Sequence, residues 1–246
     1  PCPVGHEDIH GDLHLHTDWS DGLDTVEDMV AEAMRRSYSY VAVSDHTAYH
    51  STAHGLSAER LLAQWEAVEA LQRRCPSIAI LKSAEVDILP DGALDISDDV
   101  LHKADIILAS VHDSISMESY ALTGRLIRAM ENPCVDILAH PTGRSIGQSD
   151  YRVDVDELIC AAARLGVALE INCAPNRLDI DERSARRCAD AGIALAIGSD
   201  AHSTCEMSLL ELGMGVARRA RCSSKDILNA RSAKDLRAWL VSHRSH

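Results

Sequence analysis

Seven short runs rich in Val, Ile, Leu and Ala recur along the chain, at 12–17, 40–46, 78–88, 106–112, 135–140, 168–173 and 195–200. A strand with one wet face alternates apolar and polar residues. Most of these runs are nearly continuous instead, as strands covered on both faces of a parallel sheet are. Helical patterns separate them. The segment 24–36 offers Asp24 as an N-cap, with acids in the first turn. The segment 57–74 carries Leu61, Leu62, Trp65, Val68 and Leu71 near helical spacing. Further helices are predicted over 117–131, 154–165, 181–191, 206–219, 224–230 and 233–241, with Gly166 and Gly192 where a C′ glycine belongs. Strands alternating with helices build βα units, and right-handed crossovers repeated along a chain wind a sheet into a barrel. The fold class expected is therefore α/β, a seven-stranded TIM-like (β/α) barrel, with an open doubly wound sheet as the alternative. The 246 residues suit one such domain over 1–246, with tails at about 1–10 and 242–246.

Charge narrows the partners. With 24 Lys plus Arg against 38 Asp plus Glu, the formal charge is −14. A surface of that sign argues against tight autonomous binding to nucleic acid, which relies on a basic face to release counterions. Phosphorylated substrates stay open, because bound cations can reverse a local field. No apolar run approaches the roughly 20 residues of a membrane helix. Residues 1–10 lack the basic and apolar regions of a secretory signal, so a cytoplasmic protein with no membrane partner is expected. Because it begins at Pro1, the chain is expected to be a processed product or a piece of something longer. Eight Cys, none in a CxxC pair, read as thiols in a reducing compartment rather than a thiolate zinc site.

The ionisable residues carry the functional signal. The first run holds His14 and His16, with Asp21 just beyond. The second ends at His46, the third carries Glu85, the fourth ends at His112 and the fifth at His140. The seventh ends at Asp200, followed by His202. Only the sixth is weak, offering Asn172. In a parallel barrel the C-terminal strand ends converge on one face, where such enzymes keep their sites. His14 and His16, two apart, project to the same side. Imidazole with carboxylate suits zinc, manganese or iron. His50 and His54 follow the second strand and overhang this face; His102 reads as a solvated helix residue, and His243 and His246 as tail. No GxSxG elbow, GxxxxGK[ST] loop or GxGxxG fingerprint offers competing chemistry.

The motifs GDLHLHTDWSDG (11–22), AVSDH (42–46), SAEVDILPDG (83–92), ASVH (109–112), LAHPTGR (138–144) and GSDAHST (198–204) resemble the PHP domain, the polymerase and histidinol phosphatase superfamily. The resemblance runs over roughly residues 9–241. LKSAEVDILPDGALD, ENPCVDILAHPTGR, LEINCAPNRLD and ELGMGVARRA carry a closer likeness to the C-terminal PHP domain of bacterial family X DNA polymerases. The resemblance implies a distorted seven-stranded barrel with a trinuclear metal site at the strand C-termini. It implies His14, His16, Glu85 and Asp200 around one ion, Glu85 as a bridge with His112 and His140 around a second, and Asp21, His46 and His202 around a third. Two to three divalent ions, Mn2+ or Zn2+ with iron as a further candidate, would be the cofactors. Glu85, Asp200 and His202, with Arg144 and Arg177 at positions where relatives bind phosphate, would carry catalysis. Asp45, next to His46, is expected either to orient that ring or to serve the framework.

The activity expected is phosphate-ester hydrolysis by a metal-activated hydroxide, on one of two substrates. A small phosphorylated metabolite or nucleotide fits the acidic surface and the 3% aromatic content, since strand binders use basic grooves and stacking platforms. Single-stranded or 3′-end DNA, processed by a 3′–5′ exonuclease, fits the closer likeness. A non-catalytic metal-stabilised scaffold is the third reading. Two departures weigh against DNA: Ala48, Ser51 and His54 stand where polymerase-linked domains carry basic residues, and Asp113 stands where they commonly have Ser.

Overall fold

The apolar runs form strands. The computed structural model describes residues 2–113, 117–144 and 153–244. The strands are β1 (Gly11–Asp12), β2 (Tyr40–Val43), β3 (Ala79–Asp87), β4 (Ile106–Ser110), β5 (Ile137–Leu138), β6 (Ala168–Asn172) and β7 (Leu195–Gly198). They pair in parallel in the order β1-β2-β3-β4-β5-β6-β7, a nearly closed barrel. A doubly wound sheet would break that sequential order. Residues 114–116 of the segment after β4 lie outside the described residues, as do Pro1, Ser245 and His246 of the expected tails.

The helices are α1 (Val26–Arg35), α2 (Ala58–Arg74), α3 (Asp98–Leu101), α4 (Ser119–Met130), α5 (Val155–Leu165), α6 (Glu182–Asp190), α7 (Leu210–Arg219) and α8 (Ala233–His243). Side-chain oxygens start several of them. Ser57, Asp154, Asp181 and Ser232 each accept a hydrogen bond from a backbone N–H in the first turn. The cap of α1 is Thr25, reciprocated by Asp28, and not Asp24 as the sequence suggested. Asp24 instead accepts from the Thr204 N–H at 2.7 Å, tying the start of α1 to the segment after β7. The predicted 206–219 helix divides into a 3-10 turn (Thr204–Leu209) and α7, and 224–230 is two 3-10 turns. The residues expected as an amino-terminal tail pack onto the body: Val4 and Ile9 are buried in the core, and the Arg218 Nε donates to the Val4 carbonyl.

Leu13, Tyr40, Leu81, Leu108, Ile137 and Ala196 fill the barrel interior, and Leu228 with Leu236 and Leu240 of α8 close its floor. Each of these Leu and Ile side chains contributes roughly 1.5–3 kcal/mol by burial. The floor is also clamped by charge. Arg244, just past α8, donates Nε to Oδ1 of buried Asp136 at 3.0 Å and Nη2 to its Oδ2 at 2.5 Å.

The seam between β1 and β7 is closed by side chains as much as by backbone. At the top, Asp200 N–H donates to the His14 carbonyl (3.0 Å) and His16 N–H to the Ala201 carbonyl (2.8 Å). At the bottom, the carboxamide of fully buried Asn229 stands in for a strand. Its Nδ2 donates to the carbonyls of Gly11 (2.9 Å) and Ile197 (2.8 Å), while its Oδ1 accepts from Ile197 N–H (2.7 Å).

Asn229→Ala strips three buried backbone groups of their partner. It should cost roughly 2–4 kcal/mol, because orphaned buried polar groups are expensive. The expected signature in chemical denaturation is a lower midpoint at unchanged slope. A loss under about 1 kcal/mol would mean the seam closes without this residue.

Candidate metal centre

Alternation along the barrel's upper rim turns chemistry-bearing side chains inward. Past Asp12 the chain carries His14 and His16 on one face, and Ser44 holds this segment by accepting from Leu15 N–H and donating to the Leu15 carbonyl, both at 2.9 Å. Glu85, on β3, is 1% exposed and sits at the centre. Its Oε1 faces His140 Nε2 (2.8 Å) and His112 Nε2 (3.4 Å). Its Oε2 faces His46 Nδ1 (3.0 Å), His14 Nε2 (3.3 Å) and His16 Nε2 (3.5 Å). Asp200 Oδ1 lies 3.1 Å from His16 Nε2 and 3.7 Å from His14 Nε2. Asp21 lies 3.8 Å from His46 and 3.4 Å from His202. All nine residues predicted from the strand ends therefore meet in one cluster.

Partners behind the rings fix which nitrogen faces inward. His14 Nδ1 donates to Glu170 Oε1 at 2.6 Å, and His112 Nδ1 to Asp87 Oδ1 at 2.9 Å. His202 Nδ1 donates to the Asp200 carbonyl at 2.9 Å. In each ring Nδ1 holds the proton and Nε2 is left for the cluster. Asn172 Nδ2 donates to Asp200 Oδ2 (3.1 Å) and Glu170 Oε2 (3.2 Å), so β6 takes part through residues that support ligand candidates. His140 and Asp200 adopt positive φ, 28° and 55°, an unfavourable backbone for residues with a Cβ that clusters at functional sites.

The donor set suits a transition metal. Glu85 Oε2 has no hydrogen-bond partner among the described residues, although three imidazole nitrogens stand 3.0–3.5 Å away. A buried oxygen and ring nitrogens facing one another without a bond are what a shared cation would satisfy. Four groups of three or more candidate ligands have their donor atoms within 4.8 Å of one another: His16, Asp21, His46 and His202; His14, His16 and Glu85; Glu85, His112 and His140; and His46, His50 and His112.

Electrostatics agree with that fit. Burial opposes charge on Glu85, yet the imidazoles of His46, His14 and His112 outweigh it and hold its carboxyl well below the usual range. Asp200 is held well below its usual value in the same way, against burial, by His14 and His16. Burial keeps His46 and His140 neutral, and the charge of Arg177 pushes His140 further down. For His112 burial is overcome by Glu85 and Asp87, which raise it to about 10, and for His202 by Asp21, which raises it to about 9. Carboxylates that favour a proton on those rings favour a cation among them equally.

Of the two roles expected for Asp45 the structure shows the framework one, and three other residues differ from the sequence reading. Asp45 hydrogen-bonds to no imidazole among the described residues; it accepts from Thr17 N–H (2.8 Å), Thr17 Oγ1 (2.6 Å), Ser20 Oγ (2.5 Å) and Gln64 Nε2, fixing the turn that delivers Asp21. Glu170 and Asp87 were missed, although each lies two residues from a residue already marked, Asn172 and Glu85. His50 does more than overhang, since its ring stacks on His112 with centroids 4.2 Å apart and planes at 13°. Both arginines are half-buried in the loops after β5 and β6, Arg144 directing Nη1 at the Leu178 carbonyl (3.4 Å). Among the described residues the Arg177 guanidinium makes no hydrogen bond, while its charge reaches His140.

Comparison with known proteins follows the same lines. The PHP domain family matches residues 12–174. The chain is 42% identical over 233 residues to the DNA polymerase/3′-5′ exonuclease PolX of Bacillus subtilis (strain 168), covering 94% of this chain and 41% of PolX. It is 29% identical over 230 residues to a probable phosphatase of Thermoanaerobacter sp. (strain X514), covering 89% of each. Two crystal structures share the fold at 14% identity. They are a putative histidinol phosphatase from Listeria monocytogenes (TM-score 0.64, 80% of this chain and 97% of that one) and the histidinol phosphate phosphatase of Lactococcus lactis in complex with zinc, L-histidinol and phosphate (TM-score 0.63, 87% and 95%). On the match over 12–174, this chain belongs to the PHP domain family, a family of metal-dependent phosphoesterases.

Proposed function

We propose that the chain is a phosphomonoesterase acting on a small phosphorylated metabolite or nucleotide, with two to three ions held by His14, His16, Asp21, His46, Glu85, His112, His140, Asp200 and His202. The observation that carries the reading is the Glu85-centred cluster, with the charge of Arg177 reaching His140 and Arg144 on the neighbouring loop. Divalent ions held there would supply Lewis acidity and acidify a water. The protein's own groups do the rest. Glu85 divides its two oxygens between two sets of rings, so this one residue would help to hold two ions. Glu170 and Asp87 accept the Nδ1 protons of His14 and His112, which orients both rings with Nε2 toward the cluster and makes those nitrogens stronger donors to a cation. Arg144 and Arg177 take phosphoryl oxygens and offset charge developing on them.

The size of the substrate follows from where positive charge is free. Arg60, the first basic residue after the loop 47–56, spends its guanidinium on the carbonyls of Trp19 (2.6 Å), His54 (3.1 Å) and Gly55 (3.4 Å). A monoester needs the ions and one or two arginines. A DNA strand must also run several phosphates over a chain of formal charge −14. The identity to PolX supports a second reading, a 3′–5′ exonuclease or DNA 3′-end processing activity. The chain spans 41% of PolX, so in that reading a basic surface comes from elsewhere. Among the described residues no helix is long and apolar enough to cross a membrane.

Three outcomes are expected. Gently purified protein should carry about two to three transition-metal ions per chain by elemental analysis, and chelation should abolish hydrolysis and lower Tm. Well under one ion with activity intact would end the metal reading. Glu85→Ala should lose more bound metal than any other single ligand change. Glu85→Gln should lose at least about tenfold in metal affinity or activity, the scale on which changes around a metal act. In side-by-side kcat/KM measurements with manganese and with zinc, para-nitrophenyl phosphate or a nucleoside monophosphate should be cleaved more efficiently than single-stranded DNA. Arg177→Ala should lower kcat/KM for the ester about tenfold, as expected for one charged hydrogen bond. Faster nucleotide release from DNA 3′ ends than phosphate release from any small ester would establish the second reading.

A further inference from the structure

Beyond the metal cluster, one buried carboxylate joins the two loops that carry the arginines. After β6 the chain turns through residues 173–178 and comes back beside the strand end, where Asp179 forms an antiparallel bridge with Asn172. The turn is tight: Arg177 N–H donates to the Ala174 carbonyl at 2.8 Å and Leu178 N–H to the same carbonyl at 3.0 Å. Asp179 itself is fully buried. Its carboxylate crosses to the loop after β5, where Oδ1 accepts from Thr142 Oγ1 (2.8 Å) and Oδ2 accepts from the N–H groups of Thr142 (3.0 Å) and Arg144 (3.3 Å). From the other side Arg144 Nη1 reaches the Leu178 carbonyl at 3.4 Å. The two loops are thus laced together at residues 142–144 and 178–179, each next to an arginine. The start of the first loop is fixed separately, by His140 N–H on Glu170 Oε2 at 2.8 Å.

We propose that Asp179 is the positioning residue for phosphate binding, holding Arg144 and Arg177 at the spacing that lets both reach one phosphoryl group. The inference rests on the reading that those two arginines take the phosphate. Two guanidiniums on separate loops bind one anion well only if the loops keep a fixed separation, and misplacement by about an ångström costs orders of magnitude. A carboxylate with both oxygens engaged by three donors fixes position and orientation together. It is also a demanding choice of anchor, because burial pushes its pKa up to about 7 against those donors. Asp179 contacts none of the nine candidate ligands through its side chain, so its effect is separable from metal binding.

The test uses the metal-loaded protein, para-nitrophenyl phosphate as substrate and inorganic phosphate as competing ligand. Asp179→Ala should raise KM and the phosphate inhibition constant together by roughly tenfold, with kcat within about threefold and metal content unchanged. Asp179→Asn should restore most of the loss, since a carboxamide oxygen can accept from both N–H groups while its NH2 donates to Thr142 Oγ1. Thr142→Val, which removes one of the three donors, should raise KM by about threefold, and it decides the matter if Asp179→Ala does not fold. A lower Tm with KM unchanged would reduce Asp179 to a loop staple and overturn the proposal. A fall in kcat with loss of metal would also overturn it, by assigning the residue to the metal cluster. Arg144→Ala and Arg177→Ala separate the two levels. If both raise KM and Asp179→Ala does not, the positioning role fails alone; if neither raises KM, the phosphate-binding reading beneath it fails, and the proposal with it.

Discussion

A single buried carboxylate organises the upper half of this barrel. Glu85 has five imidazoles within 3.5 Å and almost no contact with solvent. A charge taken out of water is costly unless it is paired, so the surroundings of Glu85 must supply positive charge, from protons or from cations. The rings that do so arrive from β1, β2, β4 and β5. A strand shifted in register by two residues, about 6–7 Å, would carry its ring out of reach. The site therefore constrains the sheet as much as the sheet builds the site. Behind the rings the demand repeats, with Glu170 and Asp87 buried in their turn: Glu170 accepts from His14, Asn172 and His140 N–H, and Asp87 Oδ1 from His112.

The barrel and the ring of candidate ligands were legible because both follow from simple periodicities. Apolar runs gave the strands, and His, Asp and Glu at their ends gave the cluster. Boundaries were less legible. The runs at 12–17 and 135–140 shrink to two-residue ladders at β1 and β5, because side chains replace backbone partners there. Ser44 does so for Leu15, and Asp136 Oδ2 does so for Ile107 N–H at 2.7 Å. Asp24 as a cap failed because Thr25 can form a reciprocal pair with Asp28, whereas Asp24 is taken by a segment 180 residues later in the chain. Asp179 and Asn229 gave no local signal at all. Their partners lie far away in sequence, and a polar residue in a loop has no period to betray it.

The seam between β1 and β7 shows how the framework accommodates the site. To deliver His14, His16 and then Asp21, the chain after Asp12 must leave regular pairing within a few residues. Backbone pairing continued through Thr17 would hold the turn at 17–21 away from the cluster. The ladder is instead broken early, and its bonds are taken over by Ser44, by Asp12 Oδ1 accepting from Ser199 N–H (3.2 Å), and by Asn229. Asp45 then collects Thr17 and Ser20 at the far end of the departure. Polar side chains with fixed partners do here what a longer strand would do elsewhere. They leave β1 free at its functional end while keeping the barrel shut.

The same trade governs charge at the rim. Arg60 is nearest the loops after β1 and β2, yet its guanidinium is occupied in holding them together. Arg125, beneath the loop after β3, donates Nε to the Leu89 carbonyl (2.9 Å) and Nη1 to the Asp113 carbonyl (2.9 Å). Both cations are used as framework, each bonded to backbone carbonyls at loop ends. Arg177 differs: its turn is fixed by backbone bonds, its side chain is half-buried, and its charge reaches His140 without a bonded acceptor in between. A cation held in place by its own backbone, with no bonded acceptor among the described residues, retains its hydrogen-bonding capacity. That distinction sets Arg60 and Arg125, carried on α2 and α4 with their donors on backbone carbonyls, apart from Arg177, whose guanidinium has no bonded acceptor among the described residues.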